Sequence, residues 1–165
     1  VRYGYRTEHY KDINEMICKT RSEGFGPEVK RRILLGNYVL SSGYYDAYYK
    51  KAQNLRAVII KAFDRAFEKY DVLITPTSPV TAFECNKKFS NPQEIYLADI
   101  CTVPVNTVGI PGISVPCGFD SKGLPIGMQI LGPKFSESKL LNVAHRYETF
   151  TDYKNNKCVE MGVRL

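Results

Sequence analysis

Ile113-Ser114-Val115 and Ile126-Gly127-Met128-Gln129-Ile130 flank the turn-rich Asp120-Ser121-Lys122-Gly123, and this stretch decides the fold. Two short apolar runs separated by a polar, glycine-bearing turn predict a pair of antiparallel strands joined in a hairpin. Upstream, Val72-Leu73-Ile74 is ended by Pro76 and Pro79 and predicts a buried strand whose far end opens into a loop. Strand ends of that kind border functional sites. An opening alternation of Val1, Tyr3 and Tyr5 predicts a further strand, cut from something longer.

The spaces between these strands read as helices. Leu55, Val58, Ile59, Ala62, Phe63, Ala66, Phe67 and Tyr70 recur at intervals of three and four, with Arg56, Lys61, Asp64, Arg65, Glu68 and Lys69 on the other face. That pattern predicts a helix from about Tyr44 to Tyr70 with one buried stripe. A short helix is expected over Asp12 to Thr20, and another from Pro27, a residue suited to a first turn, to about Leu40. Glu84 to Pro92 reads as a polar surface loop, and Glu94 to Thr102 as a short helix stopped by Pro104. A last helix begins at Ser136, with Phe135 and Leu140 spaced for a hydrophobic staple and Leu140, Leu141, Val143, Ala144 and Tyr147 as its apolar face. Strands and amphipathic helices in one chain give an α/β domain.

Composition bounds the rest. With 165 residues, 44% hydrophobic and 24% charged, the chain is long enough for one packed core without metal or disulfide staples. Its five cysteines are widely spaced and contain no Cys-x-x-Cys pair, so they read as free thiols in a reducing compartment. No apolar run reaches the roughly 20 residues of a membrane span. The net charge of +6 is scattered along helices, with Lys30-Arg31-Arg32 the longest basic cluster, and reads as a solvated surface.

The chain has no Gly-x-Ser-x-Gly elbow, no phosphate-cradling loop and no His-Glu-x-x-His. His9 and His145 read as structural. Ser41 and Ser42, between two helical stretches, read as a helix-junction cap. Ser114, inside an apolar strand, reads as a serine hydrogen-bonded to its neighbours.

A family signal lies in longer runs. Glu23-Gly24-Phe25-Gly26-Pro27 through Gly36, Ser41-Ser42-Gly43-Tyr44-Tyr45-Asp46-Ala47-Tyr48-Tyr49, Pro76-Thr77-Ser78-Pro79 and Asp99 to Asn106 carry part of it. Gly109-Ile110-Pro111-Gly112-Ile113-Ser114-Val115-Pro116 and Gly123 to Gln129 carry the remainder. Together they resemble the amidase-signature family and, within it, the glutamine-hydrolysing A subunits of glutamyl-tRNA(Gln) amidotransferases. The resemblance covers residues 1–153, the expected C-terminal part of an amidase domain, and leaves 154–165 as a tail of unassigned origin.

The resemblance implies a mixed sheet covered by helices, of which this chain supplies the later strands. It implies a parent enzyme in which an activated serine attacks the side-chain amide of glutamine and ammonia is released. The catalytic lysine and two serines of that family precede the region represented here, so no catalytic residue carries over. By motif position, Arg32 would pair with the α-carboxylate of glutamine and Asp99 with its α-amino group. A zwitterionic ligand calls for one fixed cation and one fixed anion, and the planar guanidinium fork suits a carboxylate.

The implied partners are glutamine, the B and C subunits of the amidotransferase and, through the complex, tRNA; no membrane is involved and the location is cytoplasmic. This chain would hold no cofactor, ATP and magnesium serving the B subunit. Two other functions are compatible with the residues alone: part of a stand-alone amidase for neutral amides, or a non-catalytic interaction module.

Overall fold

Asp12 starts the first helix in the way its side chain allows: Oδ1 accepts the Glu15 N–H at 2.8 Å, and Glu15 reaches back to the Lys11 N–H. In this computed structural model, which describes residues 3–84, 96–153 and 155, α1 runs Ile13–Gly24, beyond the expected end at Thr20. Pro27 then occupies the first turn of α2, Pro27–Leu40, where its missing N–H costs nothing. Ser41 closes that helix, its hydroxyl donating to Tyr38 O at 2.7 Å, the cap expected at this junction. The long helix expected from Tyr44 begins instead as a π-helical segment, Tyr45–Lys50, and continues as α3, Lys51–Phe67.

The chain packs as two compact units, Val1–Asn54 and Leu55–Leu165. In the first, the strand expected at Val1, Tyr3 and Tyr5 does not form among the described residues. Tyr3 and Tyr5 are exposed and extend no sheet, because no neighbouring strand offers them a ladder; Val1 lies outside the described residues.

The second unit is built on a three-stranded antiparallel sheet in the order β1-β3-β2, with β1 Leu73–Pro76, β2 Gly112–Phe119 and β3 Pro125–Leu131. Proline explains part of this order. Pro76 and Pro116 lie on the two edge strands, and Pro125 is the first residue of the central strand, so no inner ladder bond is lost. The expected hairpin joins β2 to β3. Asp120 makes its turn: Oδ1 accepts the N–H groups of Lys122 and Leu124 at 2.8 and 2.9 Å, and Oδ2 accepts the Thr81 hydroxyl at 2.7 Å.

One sheet face carries the core. Val115 and Ile130 pack with Leu140 and Ala144 of α5, Glu137–Phe150, and Ile113, Met128, Val143 and Tyr147 surround them. On the other face Leu131, Val105 and Val108 are buried, the last two supplied by α4, Val103–Val108. Gly112 permits this contact, since a Cβ there would lie 2.9 Å from Leu131 Cδ2.

Other expectations fare differently. Pro104 starts α4 instead of stopping a helix, because a first-turn proline forfeits no intrahelical bond. Of the helix expected over Glu94 to Thr102, Glu94 and Ile95 lie outside the described residues, residues 96–98 form one helical turn, and Asp99 to Thr102 are turns. The loop expected from Glu84 to Pro92 lies outside the described residues from Cys85 onward. Phe135 forms no staple: it is 94% exposed at φ 63°, and the Ser136 hydroxyl turns back to Pro133 O at 2.6 Å. Leu141 is exposed. The α3 stripe is only partly covered, Leu55 and Val58 being exposed while Ile59, Phe63, Ala66 and Phe67 are half-buried, and β1 is half-buried, with Ile74 facing outward.

Candidate functional site

Polar residues gather on the sheet face opposite the α5 core, at the end away from Leu131. The registers Thr75↔Gln129 and Ser114↔Gln129 set a row of polar side chains across all three strands. Gln129, on the central strand, is only 6% exposed. Its Nε2 donates to Thr75 Oγ1 at 3.1 Å and to Cys101 O at 3.2 Å. One residue pair further along, the hydroxyls of Thr77 and Ser114 meet at 2.6 Å over Gly127, which accepts the Thr77 N–H at its carbonyl. Ser114 is thus the hydrogen-bonded strand serine its surroundings predict.

Asp99 stands beside this face, in the exposed turn that precedes α4. Its carbonyl accepts Thr102 N–H, Val103 N–H and the Thr102 hydroxyl, the last at 3.1 Å. Its carboxylate makes no hydrogen bond or ion pair among the described residues. An exposed carboxylate on a backbone fixed by its own carbonyl is suited to receive a cation.

In the other unit Arg32 lies on an exposed face of α2. Its Nε donates to Glu28 Oε1 at 2.8 Å, one turn earlier, while Arg31 grips both oxygens of the same carboxylate at 2.7 and 2.8 Å. The Arg31 and Arg32 hydrogen bonds pull the Glu28 carboxyl down to about 2. Glu28 therefore stays ionised and holds one edge of each guanidinium. Neither unit by itself contains both Arg32 and Asp99.

A model of the family described as Amidase matches residues 1–141. The chain belongs to the amidase family. Among the curated relatives of this amidase chain is the glutamyl-tRNA(Gln) amidotransferase A subunit of Thiobacillus denitrificans, 57% identical over 153 residues, covering 93% of this chain and 32% of the relative. The protein of the same name from Geobacillus thermodenitrificans is 57% identical over 159 residues, covering 96% and 33%. The amidase chain thus spans about a third of the length of the curated relatives it matches. Among solved structures it superposes on the glutamyl-tRNA(Gln) amidotransferase A subunit of Thermotoga maritima with a TM-score of 0.63 at 42% identity, covering 85% of this chain and 30% of that one. A 6-aminohexanoate cyclic dimer hydrolase shares the fold, with a TM-score of 0.62 at 20% identity over 87% of this chain.

Sequence reasoning singled out Arg32 and Asp99 but overlooked three residues around them. Glu28 was findable from its i, i+3 and i, i+4 spacing to two arginines. Ser78, which donates to Ala98 O at 3.1 Å, and Gln129 act on residues 20 and 28 positions away in the chain, and no local pattern announces such contacts.

Proposed function

We propose that this chain is the part of a glutamine-hydrolysing amidotransferase that recognises the head of free glutamine, Arg32 pairing with the α-carboxylate and Asp99 with the α-ammonium. The observation that carries the reading is the 57% identity over 153 residues to a protein named as the A subunit of glutamyl-tRNA(Gln) amidotransferase. The exposed carboxylate of Asp99, unpaired among the described residues, and the Arg32 guanidinium on an exposed helix face support it.

Recognition by two opposite charges selects an α-amino acid over a neutral amide, because a ligand lacking either group leaves one protein charge unmatched. In the complete enzyme a serine supplied by the rest of the protein attacks the glutamine side-chain amide, ammonia leaves, and water releases glutamate from the glutamyl-enzyme. The ammonia passes to a B subunit that activates Glu-tRNA(Gln) with ATP and magnesium, a C subunit joining A to B, and Gln-tRNA(Gln) results. This chain holds neither nucleotide nor metal, and the complex works in the cytoplasm as a ligase of translation.

The test is steady-state glutaminase activity of the full-length enzyme with its partner subunits, Asp99→Asn and Arg32→Ala beside wild type. The expected loss in kcat/KM for glutamine is about 10- to 100-fold, the scale of one charge-assisted hydrogen bond, carried for Arg32→Ala mainly by KM. Transamidation supplied with free ammonia is retained. Equal loss of both activities, or of neither, gives these residues a structural role and returns the chain to the neutral-amide and interaction-module readings.

A further inference from the structure

The turn that carries Asp99 is tied down on both flanks by side chains from elsewhere in the unit. On one flank Ser78 Oγ, from the segment after β1, donates to Ala98 O at 3.1 Å. On the other flank Gln129 Nε2 donates to Cys101 O at 3.2 Å. The orientation of that amide is itself determined. The Thr75 hydroxyl gives its proton to Pro76 O at 3.2 Å, so it offers Gln129 a lone pair, which only the NH2 end of the amide satisfies. The same NH2 end must then face Cys101 O. The Asp99 backbone is thereby held at positions 98, 99 and 101, while its carboxylate makes no hydrogen bond or ion pair among the described residues.

A buried amide on the central strand whose NH2 hydrogens go to one turn's carbonyl and one threonine lies on the face opposite the α5 core. We propose that Gln129 and Ser78 are positioning residues for Asp99: they fix the turn so that its carboxylate meets the α-ammonium of the substrate, and so set the preference for an α-amino acid amide over the same amide without that group. This rests on the ligand role proposed for Asp99. A charge-assisted hydrogen bond forms at about 2.7–2.9 Å and tolerates displacement of only about half an ångström, which a free turn would exceed.

The experiment compares glutamine with glutaramate, which has hydrogen in place of the α-ammonium, as substrates of the full-length enzyme in its complex. The quantity read is the ratio of the two kcat/KM values for wild type, Asp99→Asn, Gln129→Met, Ser78→Ala and Ser78→Thr. Gln129→Met keeps the volume and removes both donors. Ser78→Ala removes the bond to Ala98 O and a long one from the Val80 N–H, and serves where Gln129→Met does not fold. Asp99→Asn is expected to abolish most of the preference for glutamine. Gln129→Met and Ser78→Ala are each expected to lower it by about tenfold, the loss confined to glutamine and expressed in KM, while Ser78→Thr restores it. Collapse of the ratio in Asp99→Asn with the wild-type ratio in Gln129→Met and Ser78→Ala overturns the positioning role alone. So does a loss equal for both substrates, which marks a merely structural contact. A wild-type ratio in Asp99→Asn overturns the role of Asp99 and the positioning role with it.

Discussion

Glu28 is the most strongly perturbed acid on the helical unit, and the cause is local. Arg31 donates to both of its oxygens and Arg32 to one, so three hydrogen bonds favour the carboxylate, and the carboxyl is pulled to about 2. The folded value lies below the unfolded one. The contribution of these contacts to stability is therefore complete above the ordinary glutamate range and disappears as pH falls toward about 2. A carbon-detected NMR titration of the Glu28 carboxyl is expected to show a midpoint near that value, raised more by Arg31→Ala than by Arg32→Ala. An ordinary midpoint in wild type would mean that the shared grip is absent in solution and that Glu28 does not orient Arg32. At this scale the sequence supplied Arg32 and Asp99 only through a family motif. Arg32 otherwise reads as an ordinary helix arginine. Gln129 carries no local sign of its burial, because that burial depends on a turn 28 residues earlier crossing over it.

The hairpin and the amphipathic helices were legible because their signals are local: Asp120 and Gly123 for the turn, Pro27 for the start of α2, the three-and-four spacing for α3. What misled was the assumption that periodicity implies cover. Leu55, Val58 and Leu141 keep the apolar spacing yet face solvent, since a stripe tells which side of a helix seeks a partner and not whether this chain contains one. Gly127 shows the reverse case, a residue without a local signal whose smallness is required by a tertiary contact. A Cβ there would fall 2.8 Å from Thr77 Oγ1, 3.0 Å from Thr77 Cβ and 3.1 Å from Ser114 Oγ, where the hydroxyl of Ser114 on β2 meets that of Thr77, just past β1. In the full-length protein Gly127→Ala is expected to cost about 1–3 kcal/mol, measured by thermal or denaturant unfolding. The cost should shrink in a Thr77→Ala background, where the tightest of these contacts is gone. An equal cost in both backgrounds would place the strain in the backbone and not in the hydroxyl pair.

For the whole molecule, the distribution of burial decides what the chain does by itself. Its buried apolar residues concentrate around β3, α5 and α4, whereas α2 and α3 bury none of theirs and expose Leu34, Leu35, Leu55 and Val58. A helix such as α2, 14 residues long with its apolar residues nearly all exposed, gains little from tertiary packing, the main source of helical stability in proteins. Uncovered apolar stripes of this size also favour association. The isolated 165-residue chain is therefore expected to bind a hydrophobic dye and self-associate, with β3 amides the slowest to exchange hydrogen and α2 amides among the fastest. It is also expected to show no glutaminase turnover above a heat-denatured control, since no catalytic residue of the family carries over to this chain by motif position. Hydrogen exchange followed by mass spectrometry, read beside the activity assay, separates the two expectations. Uniform protection of α2 and β3 would mean that the helical face is covered within this chain, and measurable turnover would assign a nucleophile to residues read here as recognition and support.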